Sequence, residues 1–390
     1  MAATLKPHRA FALYTSPPDY VRTPEQLQAA LRRLASGNFV ALDTEFLRER
    51  TYYAKLCLVQ AANDEYCALI DVLELADLRP LFDFLNDRQR TKVLHAAHQD
   101  LEVLAFAQGK VLGTNILPIA GPIFDTQVAA GFCGLSAQMG YGDLVQQRLH
   151  HTLDKAQART DWSRRPLSPE QIRYAADDVR YLVELYHDFQ RALGHTLRWG
   201  WMEEDAEHLE NPRLYTTEPE EAWKRLRGLE QLAPPQLAVI KVLAAWRERR
   251  AIDKDRPRSW ILTDDVLRQL AERLPTTPDE LGAIRGLPKG TLEKRGDELL
   301  QLIASAAASA ANEPHTPWKR PPRSLVNKVT RLMEFIRKES QRLHVSPELL
   351  ATRREIEQLV FNGKIGDFGQ GWRHASFGSR LVTMAEEETP

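Results

Sequence analysis

The stretch GNFVALDTEF, residues 37–46, joins an apolar run to two carboxylates, Asp43 and Glu45, near its end. Its aromatic and β-branched residues predict a β-strand. Side chains alternate between the two faces of a strand, so Asp43 and Glu45 point to the same side. Taken alone, this pair fits a solvated strand end as well as it fits a binding site, because acids are rarely buried.

Two further fragments carry acids. Asp100 opens the helical run 101–106, where a helix-capping role is the commoner one. Tyr174 and Asp178 are four residues apart in a predicted helix and share a face, although a surface pair would look the same. Carboxylates that meet at one site raise one another's pKa unless cations neutralise them, and oxygen ligands suit Mg²⁺ or Mn²⁺. The ordered set of four carboxylates and one tyrosine therefore predicts a metal site.

These fragments resemble the ribonuclease D family, which belongs to the DEDD superfamily of 3′→5′ exonucleases, in the subclass whose last motif is Tyr-x-x-x-Asp. The resemblance covers nearly the whole chain and is strongest in residues 39–46, 52–60, 95–104, 161–167 and 174–182. A sister subclass ends in His-x-x-x-x-Asp, and His95 to Asp100 has that spacing. That alternative would compress the metal-binding core into about sixty residues and leave Tyr174 and Asp178 without a role.

The resemblance implies a ribonuclease-H-like α/β domain with a mixed five-stranded sheet and helices on both sides. It also implies two divalent ions, Mg²⁺ or Mn²⁺, held by four acids. Asp43 would bridge both ions, Glu45 and Asp178 would complete the water-activating site, and Asp100 would hold the second ion. Tyr174 would orient the attacking water, since a phenol with a pKa near 10 is a poor base at neutral pH.

Three more residues are candidate substrate contacts. Thr44 and Phe46 lie beside the acids of the metal strand, and Phe46 would either stack on the terminal base or pack in the core. Arg165 would either contact phosphate or be solvated. Asp125 follows a short apolar run and reads as a helix cap. His95 and His98 read as structural residues, because the expected ions prefer oxygen ligands.

The composition is that of an ordinary soluble protein, with 43% hydrophobic and 27% charged residues in 390. The net charge of −1 divides into about −7 for residues 1–220 and about +6 for residues 221–390, which indicates either nucleic-acid binding or scattered solvated charge. Three cysteines without a C-x-x-C motif favour a reducing cytoplasm over disulfides or zinc. The longest weakly polar run, residues 299–311, is too short to cross a membrane.

Strand signals end near residue 212, so we predict an exonuclease domain over residues 1–212. The remainder is helical and contains a repeat: shifted by 89 positions, the apolar pattern of residues 237–270 returns without gaps, for example Trp246 with Phe335. Residues 213–311 resemble the HRDC domain, a small helical nucleic-acid-binding module. Residues 312–390 would form a second, diverged HRDC-like domain after a proline-rich linker.

The function predicted from the sequence is a metal-dependent 3′→5′ exoribonuclease that releases nucleoside 5′-monophosphates. The resemblance implies RNA with a single-stranded 3′ end as substrate, tRNA precursors in particular, and no protein partner is evident. Two alternatives stay open: a DNA-directed exonuclease, and a non-catalytic nucleic-acid-binding scaffold. A basic stripe in the helical half would follow phosphates or be simply solvated; it consists of Lys241, Arg247, Arg249, Arg250, Lys254, Arg256 and Arg258.

Overall fold

The computed structural model describes residues 16–114, 116–154, 156–157, 160–311 and 321–387. Their contacts divide the chain into two units. Unit 1 takes in the described residues of Met1–Leu47, Leu56–Pro212 and Pro321–Pro390. Unit 2 takes in those of Arg48–Lys55 and Arg213–Arg320. None of the helices in these described ranges is long and apolar enough to cross a membrane.

Unit 1 is built on a mixed sheet with the strand order β1-β4-β3-β2-β5-β6. Strands β3 and β4 are antiparallel, whereas the pairs β1–β4, β2–β5 and β5–β6 are parallel. The six strands are β1 (Asp19–Val21), β2 (Phe39–Leu47), β3 (Lys55–Ala62), β4 (Cys67–Ile70), β5 (Thr91–Leu94) and β6 (Ile123–Asp125). The predicted count of five strands was therefore wrong by one. The missed strand, β1, has only three residues, which is too short to show an alternating pattern.

The helices of the first part of unit 1 surround this sheet. They are α1 (Pro24–Leu34), α2 (Arg79–Leu85), α3 (His98–Leu112), α4 (Thr126–Phe132), α5 (Tyr141–Leu149), α6 (Pro169–Leu193) and α7 (Leu197–Glu207). The longest, α6, starts at a capping box in which Ser168 and Gln171 satisfy each other's backbone N–H groups, with Pro169 in the first turn. One apolar face of α6, including Val179 and Leu182, packs into the core that holds Phe39 and Ala41 of β2.

The C-terminal helices belong to unit 1 as well. They are α13 (Arg323–Leu343), α14 (Pro347–Leu350), α15 (Arg353–Asn362), α16 (Gly371–Arg373) and α17 (Ser379–Glu386). Trp372 is buried and stacks on Trp201 of α7, with ring centroids 4.8 Å apart, and meets Phe132 of α4 edge-on at 5.6 Å. Arg373 pairs with Asp205, at 2.9 Å between Nη2 and Oδ2. The predicted third domain thus shares a hydrophobic core with the exonuclease-type sheet and helices.

Unit 2 is helical, with α8 (Pro234–Lys254), α9 (Arg258–Ile261), α10 (Asp264–Arg273), α11 (Pro278–Gly282) and α12 (Lys289–Ser309). Its core is a cluster of apolar side chains that includes Leu243, Leu267 and Leu299. The segment 48–55 joins this unit, because the Tyr52 hydroxyl donates to the buried Glu248 and the Tyr52 N–H donates to Asp255 at 2.9 Å.

The repeat predicted from the sequence recurs in the helix boundaries. Helices α8, α9 and α10 begin and end 89 residues before α13, α14 and α15 respectively. Both copies turn through a left-handed residue after their first helix, at Asp255 and at His344. The copies diverge after α10 and α15, because Gly363 leads into short helical turns where the first copy continues with α11 and α12. That residues 312–390 are a second HRDC-like domain stays a prediction.

The arginines of the predicted basic stripe that lie within α8 form ion pairs inside unit 2. Arg247 is buried and donates to Asp264 at 2.6 Å, Arg249 pairs with Glu220, and Arg250 lies 3.2 Å from Glu298. Helix α8 therefore presents no continuous row of cations, since its arginines face several directions. Lys254, Arg256 and the ion-paired Arg249 are the exposed cations of the stripe.

Candidate metal centre

Three of the predicted acids meet where β2 and α6 lie side by side. A carboxylate oxygen from each of Asp43, Glu45 and Asp178 lies within 4.8 Å of the other two. The alternation of β2 places Asp43 and Glu45 on the face that carries Phe39 and Ala41, which is the face covered by α6. The spacing Tyr174-x-x-x-Asp178 then brings both residues of α6 to the same site.

The fourth acid, Asp100, enters from α3. It is 8% exposed, and its Oδ1 accepts a hydrogen bond of 2.5 Å from the Thr44 hydroxyl. The turn that leads into α3 is fixed by Asp125, whose carboxylate accepts the N–H groups of Ala96 and Ala97 at 3.0 and 2.9 Å. Ala96 has a φ of 52°, a left-handed conformation that these bonds help to hold. Asp125 is therefore engaged as a structural residue.

One of the two histidines near Asp100, His95, has partners for its whole ring. Both ring nitrogens of His95 are bonded, Nδ1 to the Thr126 hydroxyl at 2.9 Å and Nε2 to the Met139 carbonyl oxygen at 3.0 Å. These contacts leave the His95 ring as a structural link between β5 and the helices that follow β6.

The four acids lie close enough for their charges to repel one another. Burial raises the pKa of Asp43 well above its ordinary value, and the charges of Asp100, Asp178 and Glu45 raise it further. Burial, then the charges of Asp178 and Asp100, raises the pKa of Glu45 to about 9. Burial also raises the pKa of Asp178 to about 8 and that of Asp100 to about 6. Mutually repelling oxygen donors of this kind, three of them half-buried and Asp100 buried, fit divalent cations, which would restore the ionised form of all four.

Tyr174 completes the site. Its hydroxyl hydrogen-bonds Asp178, and its ring lies beside the buried Trp162 with centroids 6.0 Å apart. Burial and then the charges of Asp178, Glu45 and Asp43 raise the pKa of Tyr174 far above its ordinary value. Without metal the phenol therefore stays protonated at neutral pH, which suits a hydrogen-bonding role.

The resemblance gives the Tyr174 hydroxyl the role of orienting the attacking water, so replacing Tyr174 with phenylalanine should lower kcat by about 10²-fold while the ring still packs. Divalent-metal affinity, measured by thermal shift, should stay within about twofold because the four acids are unchanged. Tyr181→Phe, on the same helix, is the matched control, since its hydroxyl bonds His151 instead. A Tyr174→Phe enzyme with the native kcat would contradict the role given to this hydroxyl.

The candidate substrate contacts have different surroundings. Thr44 is 5% exposed, and its hydroxyl donates to Asp100, a bond that helps to position that acid; a contact between Thr44 and substrate stays a prediction. Arg165 bonds both carboxylate oxygens of the buried Asp71, and its other donors reach the carbonyl oxygens of Cys57, Trp162 and Arg164. These contacts favour a structural role for Arg165 over the predicted phosphate contact. Phe46 is partly buried, and its role in base stacking stays a prediction.

Comparison with known proteins now decides the family. Residues 18–194 match a family model described as 3′-5′ exonuclease, and residues 236–303 match the HRDC domain. The ribonuclease D of Nitrobacter hamburgensis is 36% identical over 373 residues, covering 94% of each chain. That of Sphingobium indicum is 38% identical over 365 residues, covering 91% of each. The chain belongs to the ribonuclease D family.

Solved structures agree with this assignment. The crystal structure of Escherichia coli RNase D, an exoribonuclease involved in structured RNA processing, has a TM-score of 0.80 and 30% identity, with 96% of this chain and 100% of that chain covered. The catalytic core of RRP6 from Trypanosoma brucei shares the fold, with a TM-score of 0.57 at 22% identity. As a ribonuclease D family member, the protein is a 3′→5′ exoribonuclease of a kind that uses divalent metals. The predicted activity is thereby confirmed, and the non-catalytic alternative was wrong.

Proposed function

We propose that this enzyme removes nucleotides one at a time from the unpaired 3′ end of structured RNAs, tRNA precursors among them, by two-metal-ion hydrolysis. The convergence of Asp43, Glu45 and Asp178, with Asp100 and Tyr174 at the same site, supports the mechanism. The Escherichia coli relative's involvement in structured RNA processing supports the substrate class. Cysteines that are all free fit the reducing cytoplasm that we propose as its compartment.

Each side chain has a distinct part in this mechanism. Two Mg²⁺ or Mn²⁺ ions, when bound, would lower the pKa of the attacking water and offset the negative charge on the phosphorus and the leaving 3′ oxygen. By resemblance to the family, Asp43 is the residue that both ions would share, and the charges of Asp100, Asp178 and Glu45 all raise its pKa. Tyr174 donates a hydrogen bond that fixes the geometry at the nucleophile, and Thr44 holds Asp100 in place.

Metal binding should be visible without any catalytic assay. Mg²⁺ or Mn²⁺ binds only the folded site, so at about a hundredfold excess over its dissociation constant it should add about 2.7 kcal/mol of stability. We expect the Tm in excess Mn²⁺ to exceed that in EDTA, and Asp178→Asn to abolish most of this rise. Asp83→Asn, an exposed acid on α2, is the control and should keep it. An equal rise in native protein and Asp178→Asn would place the ions elsewhere.

The substrate class is tested with matched 3′ tails. One RNA stem is given a short single-stranded tail of ribonucleotides, and a second is given the same tail in deoxyribonucleotides. We expect nucleoside 5′-monophosphates to appear faster from the ribonucleotide tail in Mg²⁺ or Mn²⁺, with Asp43→Asn protein as the blank. Faster release from the deoxyribonucleotide tail would favour the DNA-directed alternative, and equal release would show that the site does not recognise the 2′-hydroxyl.

A further inference from the structure

Asp125 makes more hydrogen bonds than its position at the start of α4 requires. A capping carboxylate needs one bond, to an N–H group in the first turn of its own helix, and Asp125 makes it to Gln127 at 2.8 Å. It also accepts the N–H groups of Ala96 and Ala97, which lie 29 and 28 positions earlier. Oδ1 serves Ala96 and Oδ2 serves Ala97. The carboxylate therefore caps α4 and, in addition, holds the turn before α3.

This turn determines where α3 begins. Ala96 has a left-handed φ of 52°, which is unfavourable for a residue that carries a Cβ atom. Ala97 is the N-cap residue of α3, and its own side chain makes no capping hydrogen bond. Ala97 is also fully buried, so without Asp125 its N–H would lose a partner where water does not reach. Asp125 thus supplies, from β6, the bonds that hold the start of α3.

The position of Asp100 depends on the start of α3. Asp100 lies in the first turn of that helix, whereas the other three acids lie on β2 and α6. The Thr44 hydroxyl holds the Asp100 side chain at 2.5 Å, and the turn bonded to Asp125 holds its backbone. Asp125 itself is paired with Leu94 in the ladder between β5 and β6. Through Asp125, the backbone at Asp100 is therefore held relative to the sheet that carries the acids of β2.

Metal ions make this placement important. Ligand distances to a metal ion vary by only about 0.2 Å. Removing a group that orients a ligand, without touching the ion, commonly lowers metal affinity by about 10- to 100-fold. Asp125 has the contacts of such a group, because its carboxylate is bonded to three N–H groups and it reaches Asp100 only through the turn. The family resemblance assigns the second ion to Asp100.

We propose that Asp125 is a positioning residue for the second metal ion. Through the turn at Ala96 and Ala97, it holds α3 where the Asp100 carboxylate can bind that ion. This inference rests on the proposed two-metal function and names a residue on which the affinity for the second ion depends.

The surroundings of Asp125 allow its replacement without loss of the fold. The Thr126 hydroxyl donates to the Leu94 carbonyl oxygen at 3.0 Å. The same hydroxyl lies 2.9 Å from Nδ1 of His95. These bonds, and the parallel ladder between β5 and β6, do not involve the Asp125 side chain. They should keep β5, β6 and α4 together in an Asp125 variant.

Two substitutions separate the capping role of Asp125 from the positioning role. Asp125→Ser keeps an oxygen that can cap α4, but its side chain is too short to reach Ala96 and Ala97. Asp125→Asn keeps Oδ1 and replaces Oδ2 with an amide nitrogen, which cannot accept the Ala97 N–H. Thr23→Ala is the matched control, because it removes the oxygen that caps α1, elsewhere in unit 1, through a bond of 3.3 Å.

The test measures Mn²⁺ binding without RNA, by the electron paramagnetic resonance signal of the free ion. We expect the native protein to bind two Mn²⁺ ions. Asp125→Ser should weaken the binding of one ion by about 10- to 100-fold and that of the other by less than about twofold. Asp125→Asn should lie between Asp125→Ser and the native protein. Thr23→Ala should lower Tm in EDTA and leave both Mn²⁺ affinities unchanged.

Catalysis gives a second readout. For Asp125→Ser, the Mn²⁺ concentration that supports half-maximal kcat should rise by about 10- to 100-fold. Excess Mn²⁺ should restore most of the native kcat, because the four acids and Tyr174 are unchanged. KM for RNA at saturating Mn²⁺ should stay within about twofold of the native value, since the substitution does not act on RNA binding.

The proposal is overturned if Asp125→Ser binds both Mn²⁺ ions within about twofold of the native affinities, since Asp125 would then only cap α4. It is equally overturned if Asp125→Ser and Thr23→Ala lose Mn²⁺ affinity alike, which would indicate a general loss of stability. If Asp125→Ser does not fold, Asp125→Asn decides by the same criteria. The proposed function fails on a different result, a native protein that binds fewer than two Mn²⁺ ions, and this inference would then fail with it.

Discussion

An Asp43→Asn enzyme should lose at least about 10³-fold in kcat while binding RNA in EDTA as tightly as the native protein. Asp43 is the acid on which the charges of Asp100, Asp178 and Glu45 all act, and it would be shared by both ions. An amide of the same shape keeps the packing of β2 but supplies no charge to hold two cations. Single-turnover kinetics in Mg²⁺ or Mn²⁺ and filter binding in EDTA measure the two quantities separately.

The same variant should be more stable than the native protein when no metal is present. The folded-state pKa values of Asp43, Glu45 and Asp178 are raised, so these carboxyls ionise more readily in the unfolded chain than in the fold, and this difference destabilises the fold. This penalty is present above the raised values, about 8 for Asp178 and 9 for Glu45, and disappears as the pH falls and the carboxyls take up protons.

The difference in Tm between Asp43→Asn and native protein in EDTA should consequently be larger at pH 9 than at pH 5. Asp83→Asn, whose carboxylate is exposed, should show no such pH-dependent difference. An Asp43→Asn protein with native activity would contradict the catalytic role of Asp43. An Asp43→Asn protein that is less stable than the native protein in EDTA at pH 9 would show that these acids do not form one repelling cluster.

The site residues were predictable because their spacing is local. Alternation along β2 relates Asp43 to Glu45, and one helical turn relates Tyr174 to Asp178. The family resemblance was needed to add Asp100, since nothing local links residues 43 and 100. The bond from Thr44 to Asp100 spans 56 positions, and that from Arg165 to Asp71 spans 94. Contacts of such range are made by the fold and leave no periodic signal, so the sequence could not show that Thr44 bonds Asp100 or that Arg165 bonds Asp71.

In the helical half, too, the local pattern could be predicted from the sequence, whereas the long-range packing could not. The 89-residue repeat was readable because each copy keeps its own apolar face, and the helix boundaries match it. What the repeat could not reveal is that the second copy packs against α4 and α7. From the sequence, a tryptophan such as Trp372 that packs against another part of the chain cannot be told from one in the core of its own domain. The sequence therefore predicted an independent third domain.

Trp372→Ala should destabilise unit 1 by about 3–5 kcal/mol, the usual cost of deleting a buried aromatic side chain. Trp372 is 4% exposed, stacks on Trp201, and donates its indole N–H to Asp205 at 2.8 Å. The deletion would leave a cavity, whereas Asp205 would keep its ion pair with Arg373. Urea unfolding followed by circular dichroism gives the free energy of unfolding, and Trp260→Ala, at an exposed indole, is the matched control with an expected change below about 0.5 kcal/mol.

The number of unfolding transitions of Trp372→Ala tests whether residues 321–387 form a separate domain. If residues 321–387 unfolded as a separate domain, Trp372→Ala would create an early transition and leave the exonuclease activity intact up to the native midpoint. Because the ring packs on α4 and α7, whose residues share one hydrophobic core with β2 and α6, we expect a single cooperative transition to shift as a whole. Activity and ellipticity should then fall together on heating. The C-terminal helices would in that case hold the carboxylate site in shape from a distance, through shared packing.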